Sequence, residues 1–203
     1  KVEHMSFVGF RTFMGDAAHY AEMSSIGRSK MMELGAKETR TSMVLTGPTV
    51  GSSQIATMFD SVDAYYEASA AALGSAEIQS ALAAANATQT NAGLIRVDVE
   101  TGNCSGAFMV ASQVRSATQA TADDWAEIGA MAEEAFLANG VNGYRGVTLL
   151  AAGEMTGANG NLFYTDSVDA VMQASSNPTP TMSSIMQRLG VTIVNRIITR
   201  TIE

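Results

Sequence analysis

Arginine is the residue type whose placement in this chain points most directly to chemistry. The chain has few arginines, and several recur at matched places in the two halves of the sequence. Guanidinium groups bind carboxylates and other anions through paired hydrogen bonds, so recurring arginines are candidates for a ligand site. The matched pairs are Arg11 with Arg115, Arg40 with Arg145, and Arg96 with Arg196.

Two of these arginines are expected to be neighbours if they lie on adjacent antiparallel strands. The guanidinium groups of Arg11 and Arg96 would repel each other unless an anion or a carboxylate lay between them. One interpretation is an anion or carboxylate-ligand site, repeated in the second half with Arg115 and Arg196. The preferred interpretation is a set of ion pairs with Asp98, Glu100 or the acids of the other half, because structural ion pairs also produce such clusters.

His19 is the histidine inside the predicted fold, in the first turn of a helix beside Tyr20. A neutral imidazole at that place could act as a general base near neutral pH. A solvated side chain in the first turn is the more common role for such a residue, and the sequence leaves both open. The second half has Asp124 at the equivalent place, so a catalytic histidine would exist in one half only.

Aromatic side chains could line a pocket between helices and sheet. Tyr65 and Tyr66 follow a predicted strand and are candidates to orient a ligand. Tyr20 and Trp125 lie on apolar helical stripes, so packing in the core is the better interpretation for them.

The sequence predicts no metal site and no cofactor. His4, His19 and Cys104 do not have the spacing of metal ligands. The glycine-rich runs 47–51 and 153–160 lack the lysine and the following helix of a phosphate-binding loop. They are interpreted as hairpin turns.

A five-residue segment occurs twice, and its spacing indicates how the rest of the sequence is divided. Residues 60–64 (DSVDA) recur as residues 166–170, at an offset of 106 (166 − 60). Such self-similarity indicates a repeat architecture. The predicted repeats are residues 1–102 and 103–203, with residues 1–4 interpreted as a cloning remnant before a native start at Met5.

Each repeat is predicted to have the element order βαββαβ. Helical stripes end at Gly35 and Gly140, and strands show β-branched or alternating patterns. The second helix of each repeat is predicted to break, near 74–75 and at 177–180. The predicted strands are 6–13, 39–46, 52–59 and 94–100 in the first repeat, and 107–117, 144–151, 161–164 and 191–202 in the second.

This order predicts an α+β fold. One βαββαβ unit forms a four-stranded antiparallel sheet with two helices on one face, and its other apolar face needs a cover. Two tandem ferredoxin-like repeats, with their sheets packed into one fused α+β barrel, would provide that cover.

The composition of the chain limits the classes of partner that it can be expected to bind. The net charge is −8 and the pI is about 4.7, which argues against a nucleic-acid or anionic-membrane binder. No apolar run is long enough to span a bilayer, and the single cysteine suits a reducing compartment. We expect a cytoplasmic protein, monomeric or homodimeric, with a small apolar or anionic ligand.

The pattern resembles the dimeric α+β barrel superfamily, which includes stress-responsive A/B barrels, antibiotic-biosynthesis-type monooxygenases, and the EthD and NIPSNAP groups. The likeness is best in residues 59–65 (FDSVDAY) and 77–82 (EIQSAL). The second repeat has Val171 where Tyr65 stands and lacks the later segment. Haem-degrading relatives need a haem-ligating histidine, and neither second helix contains one.

Two functions remain open at this point. The first is a small-molecule-binding protein without an assignable catalytic role, which the absence of a strong catalytic constellation favours. The second is a cofactor-independent enzyme of monooxygenase, isomerase or cyclase type. In that case His19 would be the base, Arg11 or Arg96 would hold an anionic oxygen, and Tyr65 or Tyr66 would orient the substrate.

Overall fold

The computed structural model describes residues 5–202, which contain two βαββαβ repeats in succession. Residues 1–4, interpreted above as a cloning remnant, and residue 203 lie outside the described residues. The first repeat consists of β1 (Ser6–Met14), α1 (Tyr20–Glu33), β2 (Glu38–Val44), β3 (Ser53–Phe59), α2 (Val62–Gly74), α3 (Ala76–Ala84) and β4 (Thr88–Gly102). The second consists of β5 (Phe108–Arg115), α4 (Ala122–Ala135), β6 (Gly143–Ala151), β7 (Asn159–Thr165), α5 (Val168–Ser176), α6 (Pro180–Leu189) and β8 (Thr192–Thr201).

The eight strands belong to one antiparallel sheet, accompanied by six α-helices in the described residues. The strand order is β4-β1-β3-β2 in the first repeat and β8-β5-β7-β6 in the second. The first and last strands of each repeat are therefore neighbours, as predicted. The predicted fold class, an α+β protein of two tandem βαββαβ repeats, is confirmed.

The chain divides into two compact units, and each unit is made of more than one segment of the sequence. The described part of the first unit runs to Arg96 and also includes Leu150–Gly153 and the residues from Arg200 onward. The second unit consists of Val97–Leu149 and Glu154–Thr199. Strands β4 and β8 each contribute residues to both units, so neither unit is one continuous stretch of sequence.

Local sequence signals determine where the helices begin and end. The Ser61 hydroxyl accepts a backbone N–H at the start of α2, and Thr121 forms a capping box with Asp124 at the start of α4. Gly35 and Gly140, which follow α1 and α4, have φ of 95° and 92°. These left-handed conformations suit glycine because it has no Cβ.

Each unit buries an apolar core between its helices and its sheet. In the first unit, Phe13 of β1 packs with Tyr20 and Met23 of α1. In the second, Trp125 and Phe136 belong to a larger cluster that also contains side chains of α5 and α6. The helical stripes predicted from the sequence thus provide the core-facing side chains.

The helices in the described residues are short. The longest, α1 and α4, have 14 residues each. Within residues 5–202, no helix combines the length and the apolar character needed to cross a membrane.

Strand register corrects one of the arginine pairs predicted from the sequence. Arg40 pairs with Ala56, and Arg145 pairs with Leu162, which is the equivalent of Ala56 at the 106-residue offset. Arg40 and Arg145 therefore occupy matched positions. Arg11 pairs with Ile55 and Ser112 pairs with Asn161, the equivalent of Ile55, so Arg11 matches Ser112 and not Arg115.

Candidate ligand cavities

Each compact unit contains a cavity between its helices and its sheet. The N-terminal cavity lies within the first unit and has a volume of about 70 Å³. The C-terminal cavity lies within the second unit and has a volume of about 230 Å³. Both are lined mainly by apolar side chains, and each also receives one arginine side chain, Arg11 in the first and Arg196 in the second.

The C-terminal cavity is bounded by aromatic and aliphatic side chains from α4, β7 and α6. Trp125 of α4 and Phe163 of β7 are more than nine-tenths buried, so these walls are well packed. Helix α6 closes one side of the cavity with a stripe of four apolar side chains, Met182, Ile185, Met186 and Leu189.

Arg196 enters this cavity from strand β8. Its Nε donates to the Oγ of Ser112 on β5 over 3.3 Å, and its Nη1 lies 3.3 Å from the thioether sulfur of Met172. A thioether is a weak acceptor. Among the described residues, no carboxylate lies within ion-pair distance of Arg196, so none of them balances the guanidinium charge.

Amides and hydroxyls add polar groups to the same cavity. Asn161 on β7 accepts a hydrogen bond of 2.6 Å from the hydroxyl of buried Tyr144. Burial raises the pKa of Tyr144, and the carboxylate of Asp98 raises it further, so the phenol remains protonated and continues to donate. Asn159 and Ser112 complete the polar part of the lining.

Ion pairs outside the cavity connect helix α6 to helix α4. Arg188 on α6 forms ion pairs with Asp124 and Glu127 on α4. The backbone N–H and the hydroxyl of Thr121, followed by the Arg188 guanidinium, lower the pKa of Asp124 to about 2. Asp124 is therefore ionised above that pH, and its ion pair with Arg188 holds α6 in place as a cavity wall.

The N-terminal cavity brings together two of the residues predicted as ligand-binding, Arg11 and Tyr65. Tyr65 is 3% exposed, and its ring occupies the space that a Cβ on Gly9 would need. The Nη1 of Arg11 donates to the Oε1 of Gln89 over 2.7 Å. The Nε of Arg11 is buried and has no hydrogen-bond partner among the described residues.

The other four predicted site residues, His19, Tyr66, Arg96 and Arg115, lie outside the linings of both cavities. His19 belongs to a short 3-10 helix before α1, with its side chain 43% exposed and its Nε2 4.0 Å from the carboxylate of Asp16. Tyr66 is 49% exposed and stacks edge-on against Tyr65. Arg115 is exposed, and its Nη2 donates to the backbone carbonyl of Glu154.

The structure does not bring Arg11 and Arg96 together, although β1 and β4 are neighbours. The hydroxyls of Thr12 and Thr90 are 2.9 Å apart, and Arg96 lies six residues further along β4. At the rise of an extended strand, six residues span about 20 Å. Half-buried Arg96 thus lies far along the strand from Arg11.

The second predicted arginine pair is separated in the same way. Arg196 contacts Ser112, and Arg115 lies three residues further along β5, which is about 10 Å at the rise of an extended strand. An ion pair of the predicted kind does occur elsewhere, because the Nε of Arg145 lies 2.5 Å from a carboxylate oxygen of Glu100.

Several cavity residues were not identified from the sequence. Ser112, Asn159 and Asn161 are isolated polar residues on strands, and no sequence pattern distinguishes them. The apolar stripe of α6 has a usable signal, because Met182, Ile185, Met186 and Leu189 follow the helical spacing i, i+3, i+4 and i+7.

The linings do not fit a haem held by a histidine. Haem iron takes an axial histidine, cysteine, methionine or tyrosine. Neither cavity is lined by a histidine or cysteine in the described residues, and His19 lies outside both. No group of metal-binding side chains occurs among those residues either.

No protein-family model matches this chain, and no curated protein matches its sequence. Solved structures do resemble it. A proposed monooxygenase from Fusobacterium nucleatum aligns with 98% of this chain and 92% of its own, at 12% identity and a TM-score of 0.62. An anthrone oxidase-like protein aligns with 100% and 92% of the two chains, at 12% identity and a TM-score of 0.61.

A heme-binding protein from Thermus thermophilus aligns with 98% of this chain and 93% of its own, at 11% identity and a TM-score of 0.61. At these identities the likeness concerns the fold and not the chemistry. This chain therefore has the ferredoxin-like α+β fold that these three proteins share.

Proposed function

We propose that this chain binds a small, mainly apolar molecule that carries an anionic or strongly polar oxygen, and that it does so in the C-terminal cavity. The observation that supports the proposal is the Arg196 guanidinium. It lines an otherwise largely apolar cavity of about 230 Å³ and has no carboxylate partner among the described residues.

The chemistry of arginine favours an anionic or polar oxygen as the recognised group. A guanidinium is always charged and has five N–H donors in a fixed plane. The contacts with Ser112 and Met172 involve Nε and Nη1. Other donors of the same group are available to a ligand carboxylate, which forms strong charge-assisted hydrogen bonds with arginine.

Cavity size and lining favour a ligand with one or two rings, or an alkyl chain of similar volume. An apolar cavity of about 150 Å³ is enough to admit benzene. The C-terminal cavity exceeds that volume, and Trp125 and Phe163 provide aromatic faces for a ring.

The proposal can be tested with a matched pair of probes, cyclohexanecarboxylate and cyclohexylmethanol, titrated by calorimetry. Trp125 is the single tryptophan of the chain, so its fluorescence reports on occupancy of this cavity directly. Arg196→Met should weaken carboxylate binding about tenfold or more and leave alcohol binding unchanged. Arg115→Met, which removes an exposed arginine of the same unit, should alter neither.

Two results would contradict the proposal. The first is that neither probe binds or changes the Trp125 fluorescence of the wild-type protein. The second is that Arg196→Met weakens binding of the carboxylate and the alcohol equally, since the charge would then have no role in recognition.

The alternative function is a cofactor-independent enzyme, and the names of two fold neighbours support it. One is named as a proposed monooxygenase and one as anthrone oxidase-like. In that function His19 would be the base that removes a substrate proton, and because it lies outside both cavities, the substrate would have to bind beside it at the start of α1. Anthrone and O₂, giving anthraquinone and water, form a direct assay, and His19→Ala should abolish any turnover. Equal O₂ consumption with and without the protein would exclude this activity.

We also infer that the two repeats derive from one duplicated unit, joined near residues 102 and 103. The DSVDA segment follows β3 and β7 alike, and Arg40 and Arg145 occupy matched strand positions.

The oligomeric state is a separate question. Sedimentation at several concentrations would determine whether the chain is a monomer or a homodimer.

A further inference from the structure

We propose that the N-terminal cavity is a second and separate binding site, specific for a short-chain aliphatic monocarboxylate such as propionate. It would hold the carboxylate at Arg11 and the alkyl group against the apolar wall. The proposal does not depend on the function proposed for the C-terminal cavity, because the two cavities have different residues, volumes and arginines.

The first reason is an unbalanced charge. Arg11 lines the cavity and donates from Nη1 to the uncharged amide oxygen of Gln89. No carboxylate in residues 5–202 lies within ion-pair distance of Arg11. Arg11 is half-buried, and a guanidinium that is partly withdrawn from water without a counter-ion is stabilised when an anion binds beside it.

The second reason is an unused donor. The Nε of Arg11 is buried and has no hydrogen-bond partner in the described part of the chain. Buried polar atoms nearly always have a hydrogen-bond partner, so a buried donor without one marks a place where an acceptor can bind. A carboxylate oxygen would satisfy Nε.

The third reason is the arrangement of the surrounding hydroxyls. In the register of β1 with β3, Arg11 faces Ile55 and Phe13 faces Ser53, so Ser53 is a diagonal neighbour of Arg11 on the same sheet face. The hydroxyls of Ser24 and Ser53 are 3.5 Å apart, at the limit of a hydrogen bond. Either hydroxyl can turn to donate to a ligand oxygen.

The size of the cavity limits the ligand. Its volume of about 70 Å³ is less than half of the ~150 Å³ that admits benzene, so a ring does not fit without rearrangement. Met23, Met31 and Leu82 line the rest of the space and suit an alkyl chain of two or three carbons. A short monocarboxylate combines that chain with one negative charge.

The residues of this site occur in the first repeat only, so the C-terminal cavity serves as a comparison. The position equivalent to Arg11 is Ser112, and the second cavity receives its arginine from β8 instead. Val171 replaces Tyr65 at the matched helix position. The two cavities should therefore differ in ligand preference.

The test uses the full-length protein and three probes at equal ionic strength: sodium propionate, 1-propanol and sodium chloride. We expect propionate to bind saturably in calorimetry and to raise the melting temperature, and the other two probes to do neither. Arg11→Met should weaken propionate binding about tenfold or more. Arg196→Met and Arg115→Met should bind propionate as the wild type does.

Should Arg11→Met fail to fold, Ser53→Ala and ¹³C-propionate saturation-transfer NMR on the wild type decide the question. Ser53→Ala should weaken binding without abolishing it. The proposal is overturned if the wild type shows no saturable propionate signal. It is also overturned if Arg196→Met, and not a change at Arg11 or Ser53, removes that signal, because propionate would then occupy the C-terminal cavity.

Discussion

Asp124 shows how one carboxylate makes stability depend on pH. Its pKa is lowered to about 2 by hydrogen bonds from Thr121 and by Arg188. A carboxyl group whose pKa is lower in the folded state contributes stability above its unfolded pKa of about 4, and that stability is lost as the pH falls toward 2. Asp124→Asn should therefore flatten the dependence of unfolding free energy on pH between about 4 and 2.

Urea unfolding at a series of pH values measures this effect. Asp123→Asn is the matched control, because Asp123 is the exposed neighbour in the same helical turn. A steep acid dependence that persists in Asp124→Asn would show that other carboxylates are responsible.

Gly9 illustrates a position where the absence of a side chain is required. A Cβ built on Gly9 would lie 2.0 Å from the ring of Tyr65, which is buried and forms part of the N-terminal cavity. Gly9→Ala should destabilise the protein by about 1–3 kcal/mol, because the ring must move within a packed core. Chemical denaturation measures the change.

Gly74 provides the comparison for that substitution. It ends α2, and a Cβ there would meet no atom within 4 Å. Gly74→Ala should be neutral or slightly stabilising, since alanine has the higher helix propensity. If both substitutions have the same effect, close packing of Tyr65 on Gly9 is not the cause.

The N-terminal cap of helix α6 lies next to a residue that lines the C-terminal cavity. The hydroxyl of Thr179 accepts the backbone N–H of Met182 at its first turn, and Met182 lines the C-terminal cavity. Thr179→Ala should cost about 1 kcal/mol of stability. It should also weaken binding in that cavity more than Ser184→Ala, an exposed substitution in the middle of the same helix, and calorimetric melting with titration checks both.

The element order could be predicted from the sequence because its signals are local. Capping residues such as Ser61, terminal glycines such as Gly35 and the break at Gly74 act within one or two turns. Register could not be predicted in the same way. The helices and second hairpin strands match at offsets of 105 and 106, but β1 and β5 match at 101 (112 − 11), because the intervening turns differ in length.

The same limit applies to the candidate site. Arg11, Tyr65 and Arg196 were identified as candidates from their residue type, and the structure places each at a cavity. Their grouping was not predictable, because which side chains share a cavity depends on strand register over long sequence separations. The sequence does not indicate that Ser112 on β5 contacts Arg196 on β8, because that contact depends on how the two strands lie together.

At the scale of the whole molecule, the division into compact units predicts how fragments behave. Fragments 1–102 and 103–203 each lack residues that belong to one of the units, such as the segment from Arg200 onward. We expect neither fragment alone to show a cooperative melting transition, and the mixture to regain one. Two fragments that each melt cooperatively would contradict this and would support residue 102 as a domain boundary.

The shared strands also have a consequence for synthesis on the ribosome. The first unit includes residues from Arg200 onward, so it is incomplete until translation has passed residue 200. Domains usually fold in the order in which they emerge, with the N-terminal one first. In this protein the first unit therefore stays incomplete while the residues of the second unit are translated, and chaperones can bind the exposed chain during that interval.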